Sequence, residues 1–103
     1  MIHKIFTVFD VKARAYLPPF FLPEQGMAIR VFSDCINAKD HQFNKHPEDY
    51  TLFTLGTFDD SLAEISEIPA QSIHNGIELL RDNNDGETQQ VSNDPPILTS
   101  AEG

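Results

Sequence analysis

The pattern of apolar residues predicts a small α+β protein, in which an antiparallel sheet of about four strands, in the order ββαββ, carries one main helix on one face. Two observations lead to this prediction. Strand-forming residues alternate over short segments, and between the second and third of these, residues 24–38 repeat apolar side chains at helical spacing. The 103 residues are enough for one domain, which we place at residues 1–81.

The first two strands are predicted before residue 18. HKIFTVFD at 3–10 is rich in Ile, Phe, Thr and Val, and its apolar residues fall on both alternating faces, which indicates a central strand. After a turn at 10–12, KARAYL at 12–17 is a more polar strand in which Lys12, Arg14 and Tyr16 share one face. PPFFLP ends this strand, because proline donates no backbone hydrogen bond.

The helix over residues 24–38 has a suitable start, since Pro23 fits a first turn and Glu24 complements the positive end of the helix dipole. A polar loop follows. YTLFTLGTF at 50–58 and LAEISEI at 62–68 are predicted strands joined by a turn, and Gly56 indicates a bulge or a close backbone approach. For PAQSIHNGIELL at 69–80 two structures stay open, a short helix or a turn followed by an edge strand.

Charge is distributed unevenly along the chain. The net charge of −9 should repel nucleic acid. However, residues 1–45 hold six basic and four acidic residues, a net charge of +2, whereas residues 46–103 hold one basic and twelve acidic residues, a net charge of −11. Residues 82–103 contain few large apolar side chains, so we predict a disordered acidic tail. Our hypothesis is that this tail competes with nucleic acid for the basic first half.

Several classes of protein are disfavoured. Cys35 is the single cysteine, so no intramolecular disulfide forms, and its apolar neighbours favour a buried thiol. Charged residues interrupt every candidate membrane span or signal peptide, so we expect a soluble, intracellular protein. No phosphate-binding glycine loop or nucleophile–base pattern is present, and Asp59 and Asp60 suit a solvated turn. We therefore expect no enzymatic activity and no cofactor.

The segment HQFNKHPEDYTLF at 41–53 concentrates histidines and carboxylates ahead of a strand. A zinc site is one interpretation, but the two histidines are five residues apart and the remaining ligands would all be carboxylates, so we expect no metal. The other interpretation is a structural loop that makes a turn and sets the start of the strand. The residues of this loop are His46, Pro47, Glu48, Asp49 and Tyr50.

Basic and aromatic residues in the first half form the remaining candidate site. Cations that follow phosphates and rings that stack on bases are typical of proteins that bind single-stranded nucleic acid. The alternative is a solvated sheet face, with the phenylalanines closing the core or a dimer contact. The candidate nucleic-acid-binding residues are Lys4, Lys12, Arg14, Tyr16, Phe20, Arg30 and Lys45.

Three motifs together resemble a known family. FD-x-K-A-x-x-Y at 9–16, followed by Pro19 and Phe20, A-I-R-x-F-x-D at 28–34, and H-P-E-D-Y-x-L-x-x-x-G-x-F-D at 46–59 are similar in type and order to the small nonstructural protein of single-stranded-DNA microviruses, in particular the gokushovirus branch. The resemblance covers residues 3–68.

This resemblance implies a non-enzymatic early protein of a bacteriophage, acting in the host cytoplasm. It would bind single-stranded DNA and assist the switch from duplex replication to single-strand genome synthesis and packaging. The alternative is an acidic adaptor that binds the phage replication initiator, a capsid component or a host factor, because acidic faces meet basic partners. In either case an exposed strand edge favours a homodimer.

Overall fold

The computed structural model describes residues 1–81, and the predicted tail at 82–103 lies outside this range. In the described range, five antiparallel strands form one sheet, and one main helix packs against it, which confirms the predicted α+β class. The strands are β1 (Ile2–Asp10), β2 (Ala15–Tyr16), β3 (Phe20–Leu22), β4 (Tyr50–Asp59) and β5 (Glu64–Asn75). The helices are α1 (Gln25–Asn37), α2 (Gln42–Lys45) and α3 (Gly76–Leu79), and a 3-10 turn spans Pro47–Asp49.

Strand β1 lies at the centre of the sheet, as its apolar residues on both faces predicted. β4 pairs with one edge of β1 along its whole length, whereas the short strands β2 and β3 share the other edge. β5 pairs with the far side of β4, and in the described part of the chain its second edge has no partner strand.

The predicted second strand is much shorter than expected. Residues 11–14, which include the first three residues of KARAYL, form a turn because the Asp10 carboxylate accepts hydrogen bonds from the backbone N–H groups of Lys12 (3.0 Å) and Ala13 (3.3 Å). Arg14 closes the turn in the left-handed region, with φ of 55°. The PPFFLP segment, in contrast, contains an additional strand. Residues 20–22 follow the two prolines and have backbone N–H groups that can donate hydrogen bonds to a neighbouring strand.

The last predicted segments are also corrected. The predicted strand at 62–68 continues into the undecided stretch at 69–80 as one strand of 12 residues, β5. The rest of that stretch contains the short helix α3. Pro69 is tolerated because β5 is an edge strand whose pairing with β4 shifts register here. Gly56 has φ of 144°, and a side chain at this position would collide with the Ser66 carbonyl. The predicted close backbone approach at Gly56 is therefore confirmed.

The hydrophobic core lies between the sheet and α1. Alanine, phenylalanine and isoleucine recur every four residues along α1, so one stripe of the helix faces the sheet. Each large apolar side chain that is fully buried in this way stabilises the fold by about 1.5–3 kcal/mol. The core consists of Phe6, Val8, Ala28, Phe32, Ile36, Phe43, Tyr50 and Leu52.

The segment ahead of β4 holds more structure than the polar loop that was predicted. The His41 imidazole accepts a hydrogen bond from the Phe43 N–H at 3.0 Å and so caps the short helix α2. Pro47 is buried and begins the 3-10 turn, in which the Asp49 N–H donates to the His46 carbonyl at 3.0 Å. Tyr50, also buried, then enters β4.

Candidate functional site

The sheet has one side packed on α1, here called the helix side, and one side without a covering helix in residues 1–81, here called the open side. Side chains alternate along β1, so Phe6 and Val8 point to the helix side while Thr7 and Phe9 point to the open side. The cross-strand register extends this assignment to the neighbouring strands. Strands β1 and β4 carry apolar side chains on both sides of the sheet. The open side is therefore an apolar face that no helix covers within residues 1–81.

An aromatic cluster occupies one end of the open side. Phe9 pairs directly with Tyr16 across β1 and β2, and their ring centroids are 4.8 Å apart. Phe53 of β4 lies diagonally to Phe9, with its ring 5.4 Å from that of Tyr16 in an edge-on arrangement. Tyr16 keeps 51% of its surface exposed. Its ring therefore packs against Phe9 and Phe53 and is also accessible to solvent.

A second aromatic group continues the open side along the sheet. The Phe58 ring lies 5.9 Å from the Phe21 ring and 5.9 Å from the His3 imidazole. Buried Ile5 and Thr7 lie between the two groups along β1. We call Phe9, Tyr16, Phe21, Phe53 and Phe58 together the aromatic face.

Two of the predicted cations lie in the turn that precedes Tyr16 of this face. Lys12 and Arg14 are both exposed in this turn, which leads directly into β2, and they precede Tyr16 by four and two residues. The sequence prediction placed these three residues on one face of a strand, whereas the structure has Lys12 and Arg14 in a turn and Tyr16 in β2. Lys12, Arg14 and Tyr16 thus lie on one short segment that ends at the aromatic face.

The other predicted residues lie on the helix side. Lys4 alternates with Ile5 and shares its side of the sheet with Phe6. Arg30 is exposed on α1 and Lys45 ends α2. Phe20, predicted as a stacking ring, packs with its ring 5.8 Å from that of Phe6 against the core.

None of the seven lysines and arginines forms an ion pair with a carboxylate within residues 1–81. Within this range the Met1 ammonium pairs with Asp60, and the imidazoles of His3 and His74 are hydrogen-bonded to the carboxylates of Asp60 and Glu78. The charges of Lys12 and Arg14 are therefore not neutralised by direct pairing with a carboxylate of the described chain.

The carboxylate that begins the basic turn, that of Asp10, lies on the helix side. Asp10 shares the side of Val8, and its carboxylate is held by the backbone of the turn. Burial, followed by the charges of Asp10 and Asp49, raises the pKa of Tyr50, whose side chain belongs to the core on that side. The Asp10 carboxylate therefore lies on the side of the sheet opposite to the exposed ring of Tyr16.

The opposite end of the sheet is acidic. Asp59 pairs with Ile2 at the start of β1, about 26 Å from the basic turn at roughly 3.3 Å per strand residue. Asp60 accepts hydrogen bonds from the Met1 ammonium and from His3, each at 2.8 Å. The bond from the ammonium, followed by that from His3, lowers the pKa of the Asp60 carboxyl. The negative charges of Asp59 and Asp60 thus lie far from Lys12 and Arg14.

The predicted set of binding residues did not include four rings of the aromatic face, which are Phe9, Phe21, Phe53 and Phe58. A signal for them was present, because β1 and β4 carry apolar residues on both faces and one predicted helix can cover only one. Which rings stay uncovered depends on strand order and register, and neither can be derived from spacing alone.

The histidine-rich segment brings three possible metal ligands together. One ligand atom each from His46, Glu48 and Asp49 lies within 4.8 Å of the others, at the surface of the 3-10 turn. Such exposed groups are common in proteins without a metal, so this geometry alone does not identify a metal centre.

In the described range, no helix combines the length and hydropathy required to cross a bilayer. The model of one family, described as Phage ORF5 protein, matches residues 3–79, which include all five strands except the first residue of β1. No curated protein and no solved structure shows significant similarity to the chain.

Proposed function

The chain belongs to the Phage ORF5 protein family, and we propose that it is a non-enzymatic phage protein that binds single-stranded DNA through the aromatic face and the adjacent basic turn. Its role would be in the host cytoplasm, at the switch from duplex replication to single-strand genome synthesis and packaging. This role at the replication switch is the one implied by the resemblance of the three sequence motifs to the microvirus protein.

One observation carries the proposal: exposed Tyr16 packs against Phe9 and Phe53 and follows the turn with Lys12 and Arg14, which have no carboxylate partner within residues 1–81. In single-strand recognition, cations neutralise phosphates while each base stacked on an aromatic ring contributes about 1–3 kcal/mol. In duplex DNA the bases are already stacked and paired, so their faces are not accessible to these rings. The aromatic face therefore favours single strands.

The acidic net charge limits how strong the electrostatic part of binding can be. For two phosphates contacted by Lys12 and Arg14, the slope of log affinity against log salt is about −1.4 on a single strand. Long-range repulsion from the acidic residues opposes association and is itself screened by salt. We therefore expect a shallow salt dependence, with stacking as the main source of affinity.

Fluorescence anisotropy with labelled oligothymidine and a duplex of equal length tests the proposal at low salt. We expect Tyr16→Ala to weaken single-strand binding by roughly 5- to 150-fold, the equivalent of one lost stack. Tyr16→Phe retains the ring and is the matched control, so its affinity should stay near that of the wild type. No binding of the single strand, or equal affinities for wild type and Tyr16→Ala, would contradict the proposal.

A second function, that of a protein adaptor, is favoured by the β4–β5 hairpin. Leu62, Ile65 and Ile68 are exposed there, next to the acidic residues at the end of β4, and this combination suits a basic protein partner. Pull-down from infected cells after nuclease treatment separates the two functions. Partners that survive nuclease and are lost with Ile65→Asp would support the adaptor.

The homodimer expected from the sequence is compatible with β5, whose second edge has no partner strand within residues 1–81. It stays a prediction, and the molar mass from light scattering measures it directly.

A further inference from the structure

An open cavity of about 480 Å³ lies beside Tyr16 on the open side of the sheet. Cavities of roughly 300–1,000 Å³ are typical of small-molecule sites, so its size is sufficient for a nucleobase. The lining residues are Thr7, Tyr16, Leu17, Pro18, Pro19, Leu55 and Ala70.

The cavity arises from an irregularity in the sheet. The pairing of β1 with β4 shifts register between Ile5 and Phe6, which leaves Leu55 as an extra residue directed to the open side. On the other edge of β4, residues 68–70 of β5 lie opposite this single residue. The small side chain of Ala70 therefore leaves a space between β5 and the two prolines that follow β2.

The lining is almost entirely apolar. The Thr7 hydroxyl donates a hydrogen bond to the Leu17 carbonyl, so both of these polar groups are already satisfied. The Tyr16 ring forms part of the wall. Such a lining can accept the planar, apolar faces of a ring but offers few groups that could read the hydrogen-bonding edge of a base.

We propose that this cavity holds one unstacked nucleobase of the bound strand, with little preference for base identity. The inference rests on the proposed function and extends it by locating one base. Lys12 and Arg14 precede Tyr16 by four and two residues in an exposed turn. Their charges complement phosphates flanking a base in the cavity. This charge complementarity selects a nucleic acid over an apolar protein segment as the occupant.

Ala70→Leu tests the inference, because the larger side chain fills the cavity from an exposed position of an edge strand. Ala15→Leu is the matched control, since Ala15 is also exposed and pairs with Asp10, which places it on the helix side. Affinities are measured for oligothymidine, for oligoadenosine and for an abasic strand of equal length. Urea denaturation of each variant verifies that it is folded.

We expect Ala70→Leu to weaken binding of both base-bearing strands by roughly 5- to 150-fold and to leave the affinity for the abasic strand unchanged. Ala15→Leu should bind all three strands as the wild type does. If the wild type binds the strands and folded Ala70→Leu binds them with the same affinity, the cavity assignment is wrong but the proposed function still stands. A drop in molar mass on Ala70→Leu, without a change in DNA affinity, would assign the cavity to a second copy. Absence of any strand binding by the wild type would instead overturn the proposed function.

Discussion

Both sides of the sheet carry large apolar side chains, but the two sides differ in how much of these side chains is exposed. On the helix side, Phe6 and Leu52 are completely buried against Phe32 of α1. On the open side, Tyr16 and Phe21 keep about half of their surface exposed, at 51% and 46%. Apolar chemistry alone therefore does not separate core from site, because the covering helix is what makes one side a core.

The exposed rings make the open side the candidate interaction surface of the protein. Exposed contiguous apolar patches on soluble proteins commonly mark interaction surfaces. On the helix side the rings contribute to stability, whereas on the open side they leave ring faces available to a ligand. Substitutions on the two sides should consequently affect different measurements.

The largest expected effect is on the helix side. Phe6→Ala removes a side chain with no exposed surface, and such truncations lower the free energy of unfolding by about 3–5 kcal/mol. Tyr16→Ala on the open side should lower it by about 1 kcal/mol or less, because half of that side chain is already in water. Urea denaturation of both variants measures the difference, and equal losses would contradict the distinction between the two sides.

An intermediate effect concerns the cations. Arg14→Glu should weaken single-strand binding equally for different sequences, because phosphate contacts carry no base information. It should also make the slope of log affinity against log salt less negative by about 0.7. Arg30→Glu changes charge by the same amount on the exposed surface of α1, and we expect it to leave the slope unchanged. A larger change from Arg30→Glu than from Arg14→Glu would move the binding site to the helix side.

The smallest effect lies at the acidic end of the open side. Because hydrogen bonds from the Met1 ammonium and His3 lower the pKa of Asp60, its ionised form stabilises the folded chain above the ordinary carboxyl pKa. This contribution is lost as the pH falls through the lowered pKa. Asp60→Asn should therefore be less stable than the wild type at neutral pH, and the difference should shrink in acid.

Urea midpoints at neutral and acidic pH measure this difference for Asp60→Asn. Glu64→Gln is the control, since Glu64 has no ion pair in the described range. A difference for Asp60→Asn that grew in acid would contradict the assigned role of its carboxylate.

Local patterns predicted much of the fold. The helical repeat located α1, and runs of strand-forming residues located β1 and β4, because each pattern depends only on residues within one element. β3 was missed, since adjacent prolines normally end a strand and only the pairing of Phe20 with Phe6 shows that it resumes. The length of β5 was missed for the same reason, at Pro69.

The candidate site was less predictable than the fold. Phe20 and Phe21 are neighbours with the same chemistry, and only their register with β1 shows that Phe21 is on the open side and Phe20 is in contact with the core. Lys4 and Arg30 could likewise be placed only once the side covered by α1 was known. The turn at residues 11–14 depends on the Asp10 side chain, which a strand pattern does not reveal.

The most direct test of the account follows aromatic ring protons by NMR during titration with oligothymidine. We expect the signals of the Tyr16, Phe9 and Phe53 rings on the open side to shift with a common affinity, while those of the buried Phe32 ring of α1 stay unchanged. Shifts confined to rings on the helix side, or none at saturating oligonucleotide, would contradict the assignment of DNA binding to the aromatic face.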